Sequence, residues 1–471
     1  MNHTIVISDV HLCESVPGDD VWMRYRQRRF SPDEDLGQLF ELLGAEVRDG
    51  TLTVVFNGDV FDFDAPAVVD GRVDVDGPSP AESAAANVLE RILREHPRFV
   101  NGLTDLMIQG HRVVFVSGNH DAHIGWPAVR ERLAEHLVTS ARTRGATRDV
   151  SSLAAQIVFR AWFYRSPDAI HVEHGHQYDH YCSFRHPMEP FTPDGVRVQP
   201  TMGSLSFRHL VSRMGYFNPH VDSSFMLSAR QYLTHWARYY ARSPHSLATT
   251  WARGAVKVMR ELLGHRLPTD ADGFARATER SAFETGAPTD ALIEHASLFA
   301  PPVNEHAHRA MRELWLDRFA FAGAGLAAVG VAAIAGVGPA SIAALGSAAA
   351  IAAYETFLPK PTLDDTYVHT ARCQREIARI HSARAVVLGH THQAFARWDA
   401  GVFHGNCGTW SPAYHDAECT LPLTGGRPVI WLRTERGEMT GGLYHWRGGM
   451  LLDALRDETQ RVLADAALVH A

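Results

Sequence analysis

The stretch Val113-Val-Phe-Val-Ser-Gly-Asn-His-Asp121 begins as a buried strand and ends in an amide, an imidazole and a carboxylate. Its first four residues are apolar, which predicts a strand in a sheet core. The glycine frees the backbone for a turn, and Asn or Asp suits the turn that follows. Neither need explains the histidine. The same event recurs four times more. Ile5-Val-Ile-Ser-Asp-Val-His11 ends in Asp-x-His, and Thr53-Val-Val-Phe-Asn-Gly-Asp59 ends in Gly-Asp. Ala169-Ile-His-Val-Glu-His-Gly-His176 and Ala385-Val-Val-Leu-Gly-His-Thr-His392 end in paired histidines. Helix-like segments, Ala84 to Arg94 and Pro97 to Gln109, lie between some of these runs. Strands alternating with helices predict a layered α/β fold, in which ligands collect beyond the carboxyl ends of the strands.

The strand ends supply Asp9, His11, Asp59, Asn119, His174, His390 and His392. These are oxygen and nitrogen donors without sulfur, a set that suits Mn, Fe, Zn, Co or Ni better than a calcium cage or a thiolate cluster. Seven donors are too many for one tetrahedral ion. They predict two divalent ions sharing a carboxylate, an arrangement that clamps phosphate oxygens and generates a nucleophile near neutral pH.

The bulk composition is that of a folded globular protein, with 45% hydrophobic and 21% charged residues. A net charge of −8 gives no whole-protein basic field and argues against a nucleic-acid partner. The five cysteines, at 13, 182, 373, 407 and 419, form no CxxC pair and no disulfide framework. They predict a reduced, cytoplasmic setting. The strand-like run Thr4 to Ile7 leaves no room for a signal peptide before it.

The ordered motifs DxH, GDxxD, GNHD, HGH and GHTH resemble those of the calcineurin-like metallophosphoesterase superfamily. The resemblance covers residues 1–185 and about 365–450. It implies a four-layer α/β/β/α sandwich carrying a dinuclear site, with Mn²⁺ the favoured metal. Position by position, it implies that Asp9, His11 and His392 hold one ion and that Asn119, His174 and His390 hold the other, with Asp59 bridging. His120 would stand by the substrate as general acid or phosphoryl stabiliser, oriented by Asp62. The chain departs from the protein Ser/Thr phosphatases, which read GDxxDRG and GNHE. Phe63 stands here in place of their phosphate-clamping arginine, so a phosphoprotein substrate is not expected. The bacterial UDP-2,3-diacylglucosamine hydrolases are similar in placing His-Gly after the fourth strand, but usually carry Arg where this chain has His120. The resulting expectation is a hydrolase of phosphate esters or pyrophosphates, on a small-molecule or lipid-linked substrate. The competing readings are a repair-type nuclease of the same superfamily and a non-catalytic scaffold on the same fold. The acidic balance argues against the first, and the survival of all seven donors argues against the second.

Between His174 and His390 the chain runs for 216 residues, against 50, 60 and 55 for the earlier intervals. The predicted organisation is therefore a core in two parts, 1–189 and 363–471, with a helical insertion at 190–362. Predicted helices in the insertion are Ser224 to Arg242, Ala248 to Leu263 and Asn304 to Phe319, separated by breaks at Pro244, Pro268 and Ala300-Pro-Pro302. From Phe319 to Tyr354 no residue is charged, and 16 of the 36 are Ala and 6 are Gly. Gly336-Val-Gly-Pro339 is expected to fold this segment in the middle, with nineteen residues before the Gly338-Pro339 break and a short arm of fifteen after it. Such a hairpin suits a membrane surface or interior, with Asp317, Arg318, Glu355 and Lys360 returning to the catalytic side; the competing reading is a hairpin buried in the protein or a dimer. Arg24, Arg26, Arg28 and Arg29, close after the first motif, are candidates for a second phosphate or an anionic headgroup. His123 and His176 are further candidates for substrate contact.

Overall fold

The computed structural model describes residues 1–75, 81–221, 229–243, 246–264, 270–305, 307–357 and 363–454. The expected helix start at Ser224, the breaks at Pro244 and Pro268, the charge at Lys360 and the end of the second core part lie outside them. Fourteen strands are described: β1 (Asn2–Ile7), β2 (Thr51–Asn57), β3 (Ala67–Val69), β4 (Arg72–Asp74), β5 (Arg112–Val116), β6 (Ile157–Arg160), β7 (Phe163–Arg165), β8 (Ile170–Glu173), β9 (Ala385–Leu388), β10 (Phe395–Asp399), β11 (Val402–Asn406), β12 (Arg427–Glu435), β13 (Glu438–Arg447) and β14 (Met450–Asp453). The first sheet has the order β14-β13-β12-β1-β2-β5-β6, and the second β10-β11-β9-β8-β7. β3 and β4 form a small separate ladder.

Alternation along the strands explains why the sheets stack. Val6, Val55, Val114 and Val116 turn one way and pack against Ile170, Val172, Val387 and Phe403 of the second sheet. Their neighbours Ile5, Ile7, Val54, Phe56, Val113 and Phe115 turn the other way. They meet four helices: α1 (Asp33–Glu46), α2 (Glu82–Glu95), α3 (Pro97–Gln109) and α4 (Pro127–Thr143). Pro97 starts α3, where a missing N–H costs nothing, and Gly110 ends it with φ 99°.

A short α5 (Val150–Ala154) precedes β6, and the chain then leaves the core after β8. It passes through α6 (Met202–His209), α7 (Ala229–His235), α8 (Leu247–Gly264), α9 (Ala271–Thr285), α10 (Thr289–Ala296), α11 (Ala307–Glu313), α12 (Leu316–Ile334) and α13 (Val337–Phe357), and returns by α14 (Leu363–Ile380). Met202 and Leu205 of α6, Val258 and Leu262 of α8, and Ala310 of α11 share a core of their own. α9 and α10 instead pack on Trp162 and Phe163 at the edge of the second sheet. Cys373 and Ile377 of α14 cover Val386 and Leu388 of β9, which completes a helix, sheet, sheet, helix layering.

Two expectations about the insertion are corrected. Asn304 to Phe319 is not one helix, because Trp315 adopts φ 60° and separates α11 from α12. The uncharged segment turns at Gly336, φ 118°, within the expected Gly336-Val-Gly-Pro339 fold but ahead of the Gly338-Pro339 break. Pro339 lies in the first turn of α13, where proline is tolerated, so the second arm is a full 21 residues. Tyr354 near the end of α13 bonds Asp317 at the start of α12, making the pair antiparallel.

Candidate active site

The pairing register decides which strand ends meet. Ile7 lies beside Phe56 and Phe56 beside Phe115, so the residues that follow β1, β2 and β5 emerge side by side. In the second sheet Val172 lies beside Val387, which aligns the exits of β8 and β9. The two sets converge at one edge of the sandwich. Asp9, His11, Asp59, His390 and His392 all have φ between 51° and 66°. Five non-glycine residues in the left-handed region at one site is local strain held by its surroundings, as functional sites hold it.

Asp9, His11 and His392 place one donor atom each within 4.8 Å of one another, and so do Asp59, His174 and His390. His392 Nε2 is 3.1 Å from Asp9 Oδ1, and His174 Nε2 is 3.2 Å from Asp59 Oδ2. Asp59 Oδ2 is also 4.0 Å from His11 Nε2, which puts this carboxylate between the two groups. Asn119 Oδ1 lies 3.3 Å from His174 Nε2. Behind the donors, His174 Nδ1 pairs with the Asn57 carbonyl at 2.8 Å and His392 Nδ1 with the His220 carbonyl at 2.9 Å. If both Nδ1 atoms carry the proton, each Nε2 lone pair points into the site, as metal-binding histidines require. His390 Nε2 pairs with Asp179 Oδ2 at 2.9 Å.

The residues fit two divalent ions. Asp9 Oδ1 and both ring nitrogens of His11 are buried without a hydrogen-bond partner, an arrangement that is costly unless something else satisfies them. Burial, with His220 and His120 close by, holds the His11 imidazole well below its ordinary pKa, hence neutral with a free lone pair. Burial alone would raise the Asp59 carboxyl, but the His174 and His120 imidazoles outweigh it and hold it well below its ordinary pKa. Two glycines make the approach feasible. A Cβ on Gly58 would lie 2.4 Å from the His174 ring, and one on Gly118 would lie 2.2 Å from Asp59 Oδ1.

His120 stands at the rim. Its Nδ1 is 3.2 Å from Asp62 Oδ1 and 3.5 Å from Asp64 Oδ2, and its backbone N–H donates to Asp59 Oδ1 at 2.8 Å. Burial would lower its pKa, but Asp62, Asp59 and Asp64 together raise it to about 10. Asp121, buried behind the turn, accepts from the N–H groups of Gly118 and Val60 at 2.6 and 2.8 Å and shapes the loop.

The structure separates the other predicted residues. Arg26 is buried and donates to the Glu14 and Pro66 carbonyls, so it braces the loop and is not open to a headgroup. Arg24 donates to the Asp19 carbonyl, while Arg28 and Arg29 are exposed on a separate short turn. The four arginines therefore form no single anion-binding surface. His123 stacks on Phe63 with ring centroids 4.5 Å apart and lines a cavity of about 100 Å³ beside Asn119 and Asp64. His176 is buried behind His174 and His390. Two residues were missed in the sequence because they come from distant positions with no motif. Arg208 of α6 reaches the same cavity and lies 3.3 Å from Asp64 Oδ1. His220 packs on His11 with ring centroids 4.3 Å apart.

Residues 3–223 match the family model described as calcineurin-like phosphoesterase. No curated protein matches the chain.

Proposed function

We propose, from the premise that this chain belongs through residues 3–223 to the calcineurin-like phosphoesterase family and is a metal-dependent phosphoesterase, that it cleaves phosphate esters or pyrophosphates of lipid-linked substrates at a membrane surface. The observation that carries the hydrolytic reading is the pair of adjacent donor groups, with Asp59 of one reaching to 4.0 Å from His11 of the other and His120 beside them. Asp9, His11 and His392 would hold one ion and Asn119, His174 and His390 the other, with Mn²⁺ the metal expected to serve best. When bound, such ions draw charge from phosphoryl oxygens and make water a nucleophile near neutral pH.

The chain's own residues do the rest. His120, protonated and held by Asp62, is placed to donate a proton to the leaving oxygen or to stabilise phosphoryl charge. Arg208 and His123 line the adjoining cavity. Arg208 brings a guanidinium to a site whose GDxxD turn carries the buried Phe63 in place of an arginine, and phosphate oxygens suit it.

The membrane component rests on the hairpin. α12 and the first 18 residues of α13 have mean hydropathies of 1.4 and 1.5, and neither span is buried. Leu326, Val331, Ile334, Val337, Ile342 and Leu345 are each at least 70% exposed, which argues against a hairpin buried in this chain's own core. At 1.5 Å per residue the arms are about 30 Å long, the thickness of a bilayer's hydrocarbon layer. A Cβ on Gly325 would come 2.9 Å from Ser347 Cβ, so small residues let the arms pack closely.

The test is a hydrolysis screen with Mn²⁺ over nucleotides, sugar nucleotides and lipid phosphates, with and without anionic liposomes. Lipid-linked phosphate or pyrophosphate should be turned over fastest, and faster on liposomes. Equal rates on soluble nucleotides, unaffected by liposomes, would refute the lipid reading, and no turnover of any ester would refute the hydrolytic one.

A further inference from the structure

β8 has an unusual outer face. Ile170 and Val172 point between the sheets, as a buried strand requires, which turns His171 and Glu173 toward the outer helices. His295 from α10 and His381 from the turn after α14 meet them there. His171, Glu173 and His295 have no exposed surface, and His381 is 4% exposed. Phe163 stacks on the His171 ring and Trp162 lies against His295, so apolar rings close the cluster off from water. None of the four belongs to the seven donors of the active site.

A buried carboxylate among three imidazoles is costly unless every lone pair is used. Here several are not. His171 Nδ1 and Nε2, Glu173 Oε2 and His381 Nδ1 have no hydrogen-bond partner. The unpartnered Glu173 Oε2 nevertheless lies 3.3 Å from His171 Nε2 and 3.4 Å from His295 Nε2, outside hydrogen-bond geometry for both pairs. The three donor atoms lie within 4.8 Å of one another. Ligand atoms about 2.0–2.1 Å from a tetrahedral zinc ion are about 3.3 Å apart, so these two separations match the edge length of such a tetrahedron. His295 Nδ1 pairs with His381 Nε2 at 2.9 Å, which holds the ring from behind while its Nε2 faces Glu173. Tyr178 Oη donates to Glu173 Oε1 and hydrogen-bonds His295 Nε2 at 2.7 Å, and a bound ion would replace this second bond.

We infer that His171, Glu173 and His295 form a second, structural site for a divalent transition ion of the zinc type, with His381 orienting His295. The ligands join the core sheet to α10, so the ion pins the insertion to the catalytic domain. It is closed to solvent and takes no part in hydrolysis.

The test uses the full-length protein, purified with zinc, then dialysed against chelator and reloaded with Mn²⁺. Wild type should retain about one zinc per chain, and the His171→Gln/His295→Gln variant about none. Both should hydrolyse nitrophenyl phosphate at similar rates, the variant melting at a lower temperature. If the variant does not fold, X-ray absorption on the wild type decides: retained zinc should show a shell of about four N/O ligands near ~2.0 Å. Loss of all zinc from folded wild type, a six-coordinate shell, or equal zinc in both proteins would overturn the inference.

Discussion

Gly118→Ala isolates the crowding at the metal centre from any change in chemistry. Gly118 does not occupy the left-handed region, so alanine meets no backbone penalty there. The added Cβ would instead lie 2.2 Å from Asp59 Oδ1 and 2.6 Å from Asp59 N, where real Cβ contacts are essentially never under 3.0 Å. Asp59 or the Gly118 turn must therefore move by about 1 Å, and a misplacement of that size costs on the order of 10²-fold in rate. Because Asp59 lies between both donor groups, metal content should fall with activity. The assay is kcat/KM on nitrophenyl phosphate at saturating Mn²⁺, with metal per chain measured on the same sample. Gly442→Ala is the control, since nothing lies within 4 Å of its added Cβ. A Gly118→Ala protein with wild-type turnover and wild-type metal content would refute the assignment of Asp59 as the shared ligand.

Asp59→Asn should remove most activity and lower the bound Mn²⁺, read by elemental analysis; unchanged metal would contradict a bridging carboxylate. His120→Asn should cost on the order of 10²–10⁴ in turnover for an alkyl phosphate and much less for nitrophenyl phosphate, whereas equal losses would leave it a binding residue. Arg208→Ala should raise KM by about 10-fold or more with a smaller change in kcat, the scale of one charge-assisted hydrogen bond. Replacing 319–354 by a short Gly-Ser linker should abolish pelleting with anionic liposomes and spare soluble-substrate hydrolysis. Full-length protein that stays in the supernatant would refute the membrane reading.

The core was legible because each of its strands is a local event. An apolar run ending in a turn of Gly, Asp, Asn or His can be read from eight or nine residues, and β1, β2, β5, β8 and β9 fall where those runs lie. Parallel register then brings their ends together without further information. What could not be read depends on contacts across long stretches of sequence. Arg24 to Arg29 looks like one basic patch as a string, yet two successive short turns bury Arg26 and expose Arg28. Arg208 and Asp64 are 144 residues apart, and no spacing rule links them. The length of the second hairpin arm was hidden for a different reason. Proline was read as a break, although the first turn of a helix accommodates it.

The insertion is more than an attachment to a finished enzyme. Arg208 projects from α6, whose Leu205 shares a small core with Val258 of α8 and with Ala310 of α11. α11 is followed almost at once by α12, the first arm of the hairpin. Leu314, in the link between them, belongs to the same core. The base of the hairpin and the arginine at the cavity beside Asn119 are thus tied by one packed cluster. If the hairpin sits in a bilayer, that cluster sets the distance and angle at which the metal centre faces the lipid surface. A cavity in this cluster, made by Leu205→Ala, would loosen both connections together. It should weaken catalysis on liposome-borne substrate more than on a soluble one, a distinction that a general loss of stability would not produce.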